Sequence, residues 1–496
     1  MMSPNRPVYQ EIFPNAYFDS VTLMRISTEL GKLPGIGKVS VMMGTPANLA
    51  LMAAQGLWSL GSEPVSPVDL CMAVEYQTEN DLAGVKAKLR TLLRGDSQKT
   101  IQQVTAGDTT ARSWVQASKN LPEPKIAFIS VPGSFAAVEA KLALEAGFDV
   151  FLFSDNVDLA DEAELKRRAQ KLGRIVMGPD CGTSLLSGAR LGFVNHIQAG
   201  AIGIVAGSGT GAQEVSSLLD QAGIGVSHII GTGGRDLYES VGGITTRTAL
   251  QWLREDEKTE RIVLISKPTL AAVAASLVQE LKSLGKPVGA LLLGNKIACE
   301  DRHVTLFATL GELIAWACGK EEEVPPALSL PAGGYIRGLY VGGTFAFQAA
   351  ELIAVRPSTA GKPWLERAHC VVDFGDDYFT RGRPHPMIDG GLRQEAIREA
   401  LLDPGTSVVV CDVVLGDGAE ADPAGRVANA VKQARARGTT GTFPAVVAHV
   451  VGTRQDPQGY EGQIKCLREA GIVVTRTSTA AVWAAVRGLG CRAKGA

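Results

Sequence analysis

Two short runs of small residues carry the clearest chemical signal in this chain. Residues 201–219 read AIGIVAGSGTGAQEVSSLL and residues 336–353 read IRGLYVGGTFAFQAAELI. Each passes from an apolar strand, through glycines ending in Gly-Thr, into a helix. Glycine lets a ligand approach the main chain. The first N–H groups of a helix have no partner within it, and the helix dipole adds partial positive charge there. A phosphate or carboxylate supplies what such a turn lacks. Ser208, Gly209 and Thr210 in the first run, and Gly342, Gly343 and Thr344 in the second, are therefore the expected phosphate-binding residues, with Ser208, Thr210 and Thr344 adding hydroxyl donors. Helix capping alone also produces Gly-Thr turns, so each turn by itself carries both readings.

Other residues extend the candidate site. Arg381, Arg383 and His385 lie in RGRPHP, next to Asp376 and Asp377. The arginines suit a substrate carboxylate and His385 suits acid or base work, so the three are the expected catalytic group. Asp180 and Cys181 follow a strand end, where α/β proteins bind ligands. With Arg235 and Asp236 at the end of another glycine turn, they form the expected substrate pocket. His303 matches no motif. His449 sits inside an apolar strand and reads as a satisfied core histidine. Asp412, Asp417 and Asp422 match no calcium loop and read as surface acids, so no metal site is expected.

These turns need strands and helices to hold them. At 496 residues the chain is too long for one core. It contains 56 glycines, as a repeated strand–turn–helix architecture requires. Residues 1–120 predict a small α/β domain, a split β-α-β sandwich with strands over 39–43 and 70–76, a helix at 80–94, and Asn48 capping a helix over 49–55. Residues 121–198 predict a Rossmann domain, with strands at 125–131, 150–153 and 174–177. Residues 199–320 and 334–496 each predict a further parallel α/β domain, joined by the polar, proline-rich segment 319–334. Continuous apolar strands alternating with helices imply parallel sheets covered on both faces.

Composition narrows the function. The formal net charge of −2, with 45% hydrophobic and 20% charged residues, gives no electrostatic footprint for nucleic acid. The eight cysteines are scattered without a CxxC pair, as expected for reduced thiols. No uninterrupted apolar run reaches membrane-spanning length. The expectation is a cytoplasmic protein with a small-molecule substrate and no membrane partner.

The chain resembles the FdrA family, distant relatives of the α and β subunits of succinyl-CoA synthetase. VMMGTPANL at 41–49 is similar to the family's N-terminal signature. GPDCGTS at 178–184 is similar to the GPNCPG segment of the synthetase α subunit, GSGTGAQE at 207–214 to its SGT helix start, and GTGGRD at 231–236 to its GIGGDP. DFGDDYFTRGRPHPMID at 373–389 and CDVVLGDGAEADPA at 411–424 resemble FdrA signatures on the β-type ligase domain. The resemblance implies a CoA-binding-like Rossmann domain, two flavodoxin-like ligase domains, and helix starts after Thr210 and Thr344 that face one anion. It also implies departures. The strand at 287–293 runs into Gly-Asn-Lys-Ile-Ala at 294–298, where the synthetase carries a histidine, and residues 319–334 stand in place of an ATP-grasp domain. The loop at 130–134 lacks a GxxGxxG run. The implied activity is phosphate-dependent acyl or carbamoyl transfer: oxalurate and phosphate to oxamate and carbamoyl phosphate, in allantoin-linked nitrogen use. Phosphate or carbamoyl phosphate is then the ligand, CoA an open one. Companion subunits of a heteromeric complex, or a homo-oligomer, are expected. A CoA-dependent acyl-CoA synthetase component is the alternative activity, and a non-catalytic scaffold subunit a third reading.

Overall fold

A computed structural model describes residues 6–14, 16, 18, 20–59, 65–102, 111–322, 324–325, 328–330, 333–380, 384–438 and 442–490. Its contacts divide the chain into two compact units. One holds Met1–Asn120 with Thr380–Pro384, and the other holds Leu121–Phe379 with His385–Ala496.

The first unit is built on an antiparallel sheet in the order Val8–Phe13, Leu70–Tyr76, Ile36–Met43. Alternation decides its faces. Leu70, Met72 and Val74 pack with Leu23, Ile26 and Leu30 of the helix Ser20–Gly31, and with Leu82, Val85 and Leu89 of Glu79–Gln102. Cys71 and Ala73, on the other face, pack with Met52, Leu57 and Trp58. The helix expected over 49–55, with Asn48 as its cap, starts at Pro46 instead. Thr45 is its cap, and its side chain accepts the Asn48 N–H. Proline at the first helical position needs no N–H partner, which moves the start upstream.

The second unit contains three sheets, parallel apart from one antiparallel hairpin, and the expected α/β class holds throughout it. The Rossmann-type segment pairs Ile126–Ile129, Asp149–Leu152 and Val176–Met177 in parallel. Its helix Gly133–Glu145 buries Ala136, Ala140, Ala143 and Leu144, an i, i+4, i+7, i+8 stripe. The next sheet runs Val304–Phe307, Val288–Leu292, Arg261–Ser266, Ala199–Ala206, Val226–Gly231, then the hairpin Thr183–Leu186 and Ala189–Gly192. The last sheet runs Pro357–Ser358, Cys370–Asp373, Tyr335–Tyr340, Thr406–Val414, Ala445–Val451, Val473–Thr475.

Numbered within each module, the parallel strands run 2-1-3-4-5 in the first of these sheets and 2-3-1-4-5-6 in the second. Strand order therefore reverses between Ala199–Ala206 and Arg261–Ser266 in one, and between Tyr335–Tyr340 and Thr406–Val414 in the other. In such sheets ligands bind beyond the carboxyl ends of the strands at that reversal. Both glycine turns leave those ends.

The helix Gly209–Gln221 is buried on all sides from Gly211 to Leu219, because it packs both on its own sheet and against the helix Gly343–Ile353 of the other module. Its buried polar side chains are paired across that junction. Gln213 donates to Asn195 Oδ1 at 3.1 Å, and Glu214 accepts from the Ser478 N–H at 2.6 Å. Asn195 in turn donates to Asp456 at 2.7 Å and to the Leu415 carbonyl at 2.9 Å.

Candidate functional site

The chain leaves the strand Ala199–Ala206 at Gly207, and Ser208 caps the helix that follows by accepting the Gly211 N–H at 3.0 Å. In the other module Gly342 occupies the cap position and has no side chain to offer. The two starts meet: Ser208 Oγ and Thr344 Oγ1 lie 2.5 Å apart. Thr210 Oγ1 lies 2.8 Å from the point where a Cβ on Gly342 would stand. The residues expected to bind phosphate are thus brought to one place.

They do not form two open cradles. The Asp412 carboxylate accepts the N–H of Val341 at 2.9 Å and of Gly342 at 2.8 Å. Arg393 Nη1 closes on the same carboxylate at 2.6 Å and on the Asp412 carbonyl at 2.7 Å. The expectation of Asp412 as a surface acid is corrected: it is fully buried. A buried turn must satisfy its N–H groups, and the neighbouring central strand supplies the acceptor. Gly342 therefore has no N–H to give a phosphate. The hydroxyls of Ser208 and Thr344 are buried too, and they satisfy each other.

Gly207, Gly209, Thr210 and Gly343 remain partly exposed and form one rim of a crevice. Sequence reasoning missed the residue opposite. Lys267 follows the strand Arg261–Ser266, and its Nζ lies 3.2 Å from the Cβ point of Gly343. Asp373 Oδ2 lies 2.4 Å from that same point. Burial pushes the Asp373 carboxyl up to about 6, with the Lys267 charge opposing. The signal for Lys267 was positional: it is the first residue beyond the third strand of the module, at the reversal of strand order.

His385 belongs to this crevice. Its Nε2 lies 2.9 Å from the Cβ point of Gly375, and Asp373 Oδ1 lies 3.1 Å from it. His385 Nδ1 accepts the Met387 N–H at 3.2 Å, which assigns the ring proton to Nε2. Burial depresses its pKa to about 4. At that value the ring is neutral near pH 7 and presents Nε2–H as a donor. Arg381 and Arg383 lie outside the described residues. Asp376 accepts the Tyr378 N–H at 3.0 Å, a turn contact.

Of the residues expected to line the substrate pocket, Arg235 and Asp236 belong to a paired network. Asp236 is buried and accepts from Lys166 Nζ at 2.8 Å, from the Thr246 N–H at 2.8 Å and from Thr246 Oγ1 at 2.6 Å. Lys166 also reaches Glu162 at 2.8 Å, and Arg235 donates to Glu162 at 3.0 Å and to the Val157 carbonyl at 2.7 Å. This network ties the Rossmann-type segment to the next sheet. Cys181 is buried with its thiol pushed up to about 11 by burial, which removes the thiolate a nucleophile needs. Asp180 is exposed at φ 54°. A cavity of about 720 Å³ does open one residue beyond Lys267, lined by Leu237, Tyr238, Glu239, Ser240, Pro268, Thr269 and Leu270. The backbone N–H of His303 donates to Asp301 Oδ1 at 2.8 Å. His449 is fully buried, but neither ring nitrogen makes a hydrogen bond of good geometry, so it is not the satisfied core histidine expected. The Cys411 backbone lies close enough only to favour its protonation weakly.

Comparison with known proteins follows this division. Residues 339–487 match the CoA-ligase family, and residues 2–109 match the AllF heavy metal-associated domain family. Among the described residues no group of three or more His, Cys, Asp or Glu could hold a metal. Cys71, in the core of the N-terminal unit, is fully buried with its thiol pushed up to about 11. A thiol held protonated in the core is not a soft-metal ligand. The succinate–CoA ligase [ADP-forming] α subunit 1 of Archaeoglobus fulgidus is 27% identical over 35% of this chain and 62% of its own length. The dinucleotide-forming acetyl-coenzyme A synthetase 1 of Ca. Korarchaeum cryptofilum, solved with phosphate and ADP, is 16% identical over 78% of this chain and 88% of its own, with a TM-score of 0.34. YahF of Escherichia coli K12, known only as an uncharacterized protein, is 36% identical over 94% of this chain and 96% of its own length. An alignment that runs through both chains from one end to the other, with a CoA-ligase match in its C-terminal third, places the chain in the same family as YahF.

Proposed function

We propose that this chain is an acyl-transfer enzyme of the acid–thiol ligase type, working on an acyl phosphate in the crevice where the two modules meet. The contact between Ser208 and Thr344 carries the reading, because it sets both strand-order reversals at one point. The CoA-ligase match and the succinate–CoA ligase relative support the acyl and thiol halves.

The reaction needs no phosphorylated side chain. A thiol sulfur attacks the acyl carbon, the bond to the phosphate oxygen breaks, phosphate leaves with the electron pair, and the thiol proton passes to a base. In this reading Asp373, with its pKa raised to about 6, takes that proton. The His385 Nε2–H is placed to donate to an oxyanion without exchanging its proton. The cavity beyond Lys267, with exposed Tyr238 and Leu270, gives room for the acyl group. CoA would lie at Ser130–Ser134, where the helix Gly133–Glu145 starts without a side-chain cap.

A second reading fits the turn that follows Val288–Leu292: carbamoyl transfer from oxalurate to phosphate, in an FdrA-type assembly with companion subunits. The strand Val288–Leu292 leads into Gly294-Asn295-Lys296, a turn without histidine, where Asn295 donates to the Thr269 carbonyl at 3.1 Å. A chain that carries no phosphoryl group between sites suits direct attack of phosphate on a carbamoyl carbon.

Two assays on the full chain separate them. Exchange between acetyl phosphate and CoA, read as thioester absorbance, supports the ligase reading. Phosphate-dependent loss of oxalurate without CoA supports the other. A chain that does neither, alone or with companion subunits added, ends both.

A further inference from the structure

Among the cations packed around the crevice, Lys267 stands apart. Arg393 is committed to Asp412, Lys166 to Glu162 and Asp236, and Arg235 to Glu162. Lys267 lies within the influence of Asp373, yet the two close no ion pair among the described residues, although both lie within 3.2 Å of the same point beside Gly343. Its placement is fixed at both ends. Its backbone N lies 3.4 Å from the Cβ point of Gly207, on the first glycine turn, and its ammonium reaches the second. Gly234 leaves room for the stem, whose Cγ passes 3.9 Å from that residue's Cβ point. Ser266, just before it, is buried with its hydroxyl unpartnered.

An ammonium held between two modules, beside a carboxylate that does not close on it, is free to take an oxyanion as its partner. A partly buried lysine gains most from an oxyanion of more than one charge, since Asp373 already supplies a single carboxylate nearby. We propose that Lys267 selects the phosphoryl group of the ligand, inorganic phosphate or an acyl phosphate, which replaces Asp373 as the partner of its ammonium. The inference rests on the acyl-phosphate reading above and names the residue that makes the site specific for phosphate.

The test is isothermal titration of the full chain with inorganic phosphate and, separately, with acetyl phosphate. Lys267→Met should weaken both by at least about tenfold, the loss expected for one charge-assisted contact. Lys267→Arg should recover most of the affinity, which a merely structural lysine would not require. Circular dichroism and the melting temperature report whether each variant is folded. Tighter binding of acetyl phosphate marks the acyl phosphate as the ligand, and tighter binding of phosphate marks the released anion. If folded Lys267→Met binds both as the parent chain does, or if the parent binds neither, the assignment of Lys267 is wrong. Acetyl phosphate–CoA exchange separates this from the parent reading. Exchange that survives in Lys267→Met with unchanged KM for acetyl phosphate overturns the lysine and keeps the enzyme. Lysine-dependent phosphate binding without exchange keeps the lysine and overturns the enzyme.

Discussion

Arg393 Nη1 lies 2.6 Å from Asp412 Oδ1 in a place where neither side chain is more than 3% exposed. Asp412 also holds the N–H groups of Val341 and Gly342, so the pair fixes the second glycine turn. Removing one partner of a buried pair strands the other charge, which costs about 3–5 kcal/mol. Arg393→Met is therefore expected to lower unfolding stability by that order, measured by urea denaturation at neutral pH. Asp412→Asn should cost a similar amount, because the arginine is stranded instead. A loss below about 1 kcal/mol in both would show that solvent reaches the pair and that the turn is not held this way.

His385 is expected to stay neutral across the physiological range. Burial depresses it to about 4, and Asp412 only partly opposes this. In nuclear magnetic resonance its ring proton should show no titration between about pH 5.5 and 8, where an ordinary histidine changes charge. Transfer activity should then show no inflection from this residue over the same range. His385→Asn, which keeps an N–H donor, should retain more activity than His385→Leu. A midpoint near the ordinary histidine value would restore the acid–base role.

The sequence was most legible where one pattern had one cause. Apolar runs such as Ile262–Ile265 and Val408–Val410 read as strands of a parallel sheet buried on both faces, and they are. Ser208 was expected as a hydroxyl donor to phosphate, and its place before a helix makes it the cap instead. Legibility failed where residues distant in sequence decide the outcome. Nothing near Asp412 announces that it fills a turn 71 residues earlier. Asp236 looked like pocket lining because it ends a glycine turn, yet Lys166 claims it from 70 residues away. Lys267 carries no motif at all. It becomes visible only once the order of the strands is known, since that order makes the end of Arg261–Ser266 one wall of the crevice.

Glu214 makes a prediction about pH and stability. It is fully buried, and burial raises its pKa from the ordinary 4.5 to about 7, although the N–H and hydroxyl of Ser478 favour the charged form. Below about pH 4.5 the folded and unfolded chains both hold the proton. Between there and about 7 the unfolded chain releases it while the folded chain keeps it. The unfolded chain then binds fewer protons, so stability falls as pH rises, by up to about 1.4 kcal/mol per unit from this one group. Above about 7 the penalty is constant. Urea denaturation at pH 5 and pH 8 should show a smaller fall for Glu214→Gln than for the parent chain. Equal falls would mean that Glu214 is already ionised at pH 5 in the folded protein.

Gly343 separates the fold from the site. A Cβ there would stand 2.4 Å from Asp373 Oδ2 and 3.2 Å from Lys267 Nζ, while no backbone atom is among its nearest neighbours. Both neighbours are ends of side chains that can turn away. The backbone of Gly343 is helical and not left-handed, so alanine meets no conformational penalty and gains helix propensity. Gly343→Ala is therefore expected to leave the melting temperature nearly unchanged and to weaken phosphate binding by about tenfold, because the carboxylate and the ammonium are pushed out of the crevice they share. The measurement pairs a thermal melt with a phosphate titration on the same preparation. A large drop in melting temperature would mean that Asp373 is held as rigidly as the core. Undiminished phosphate binding in a folded Gly343→Ala protein would place the anion somewhere other than between Lys267 and this helix start.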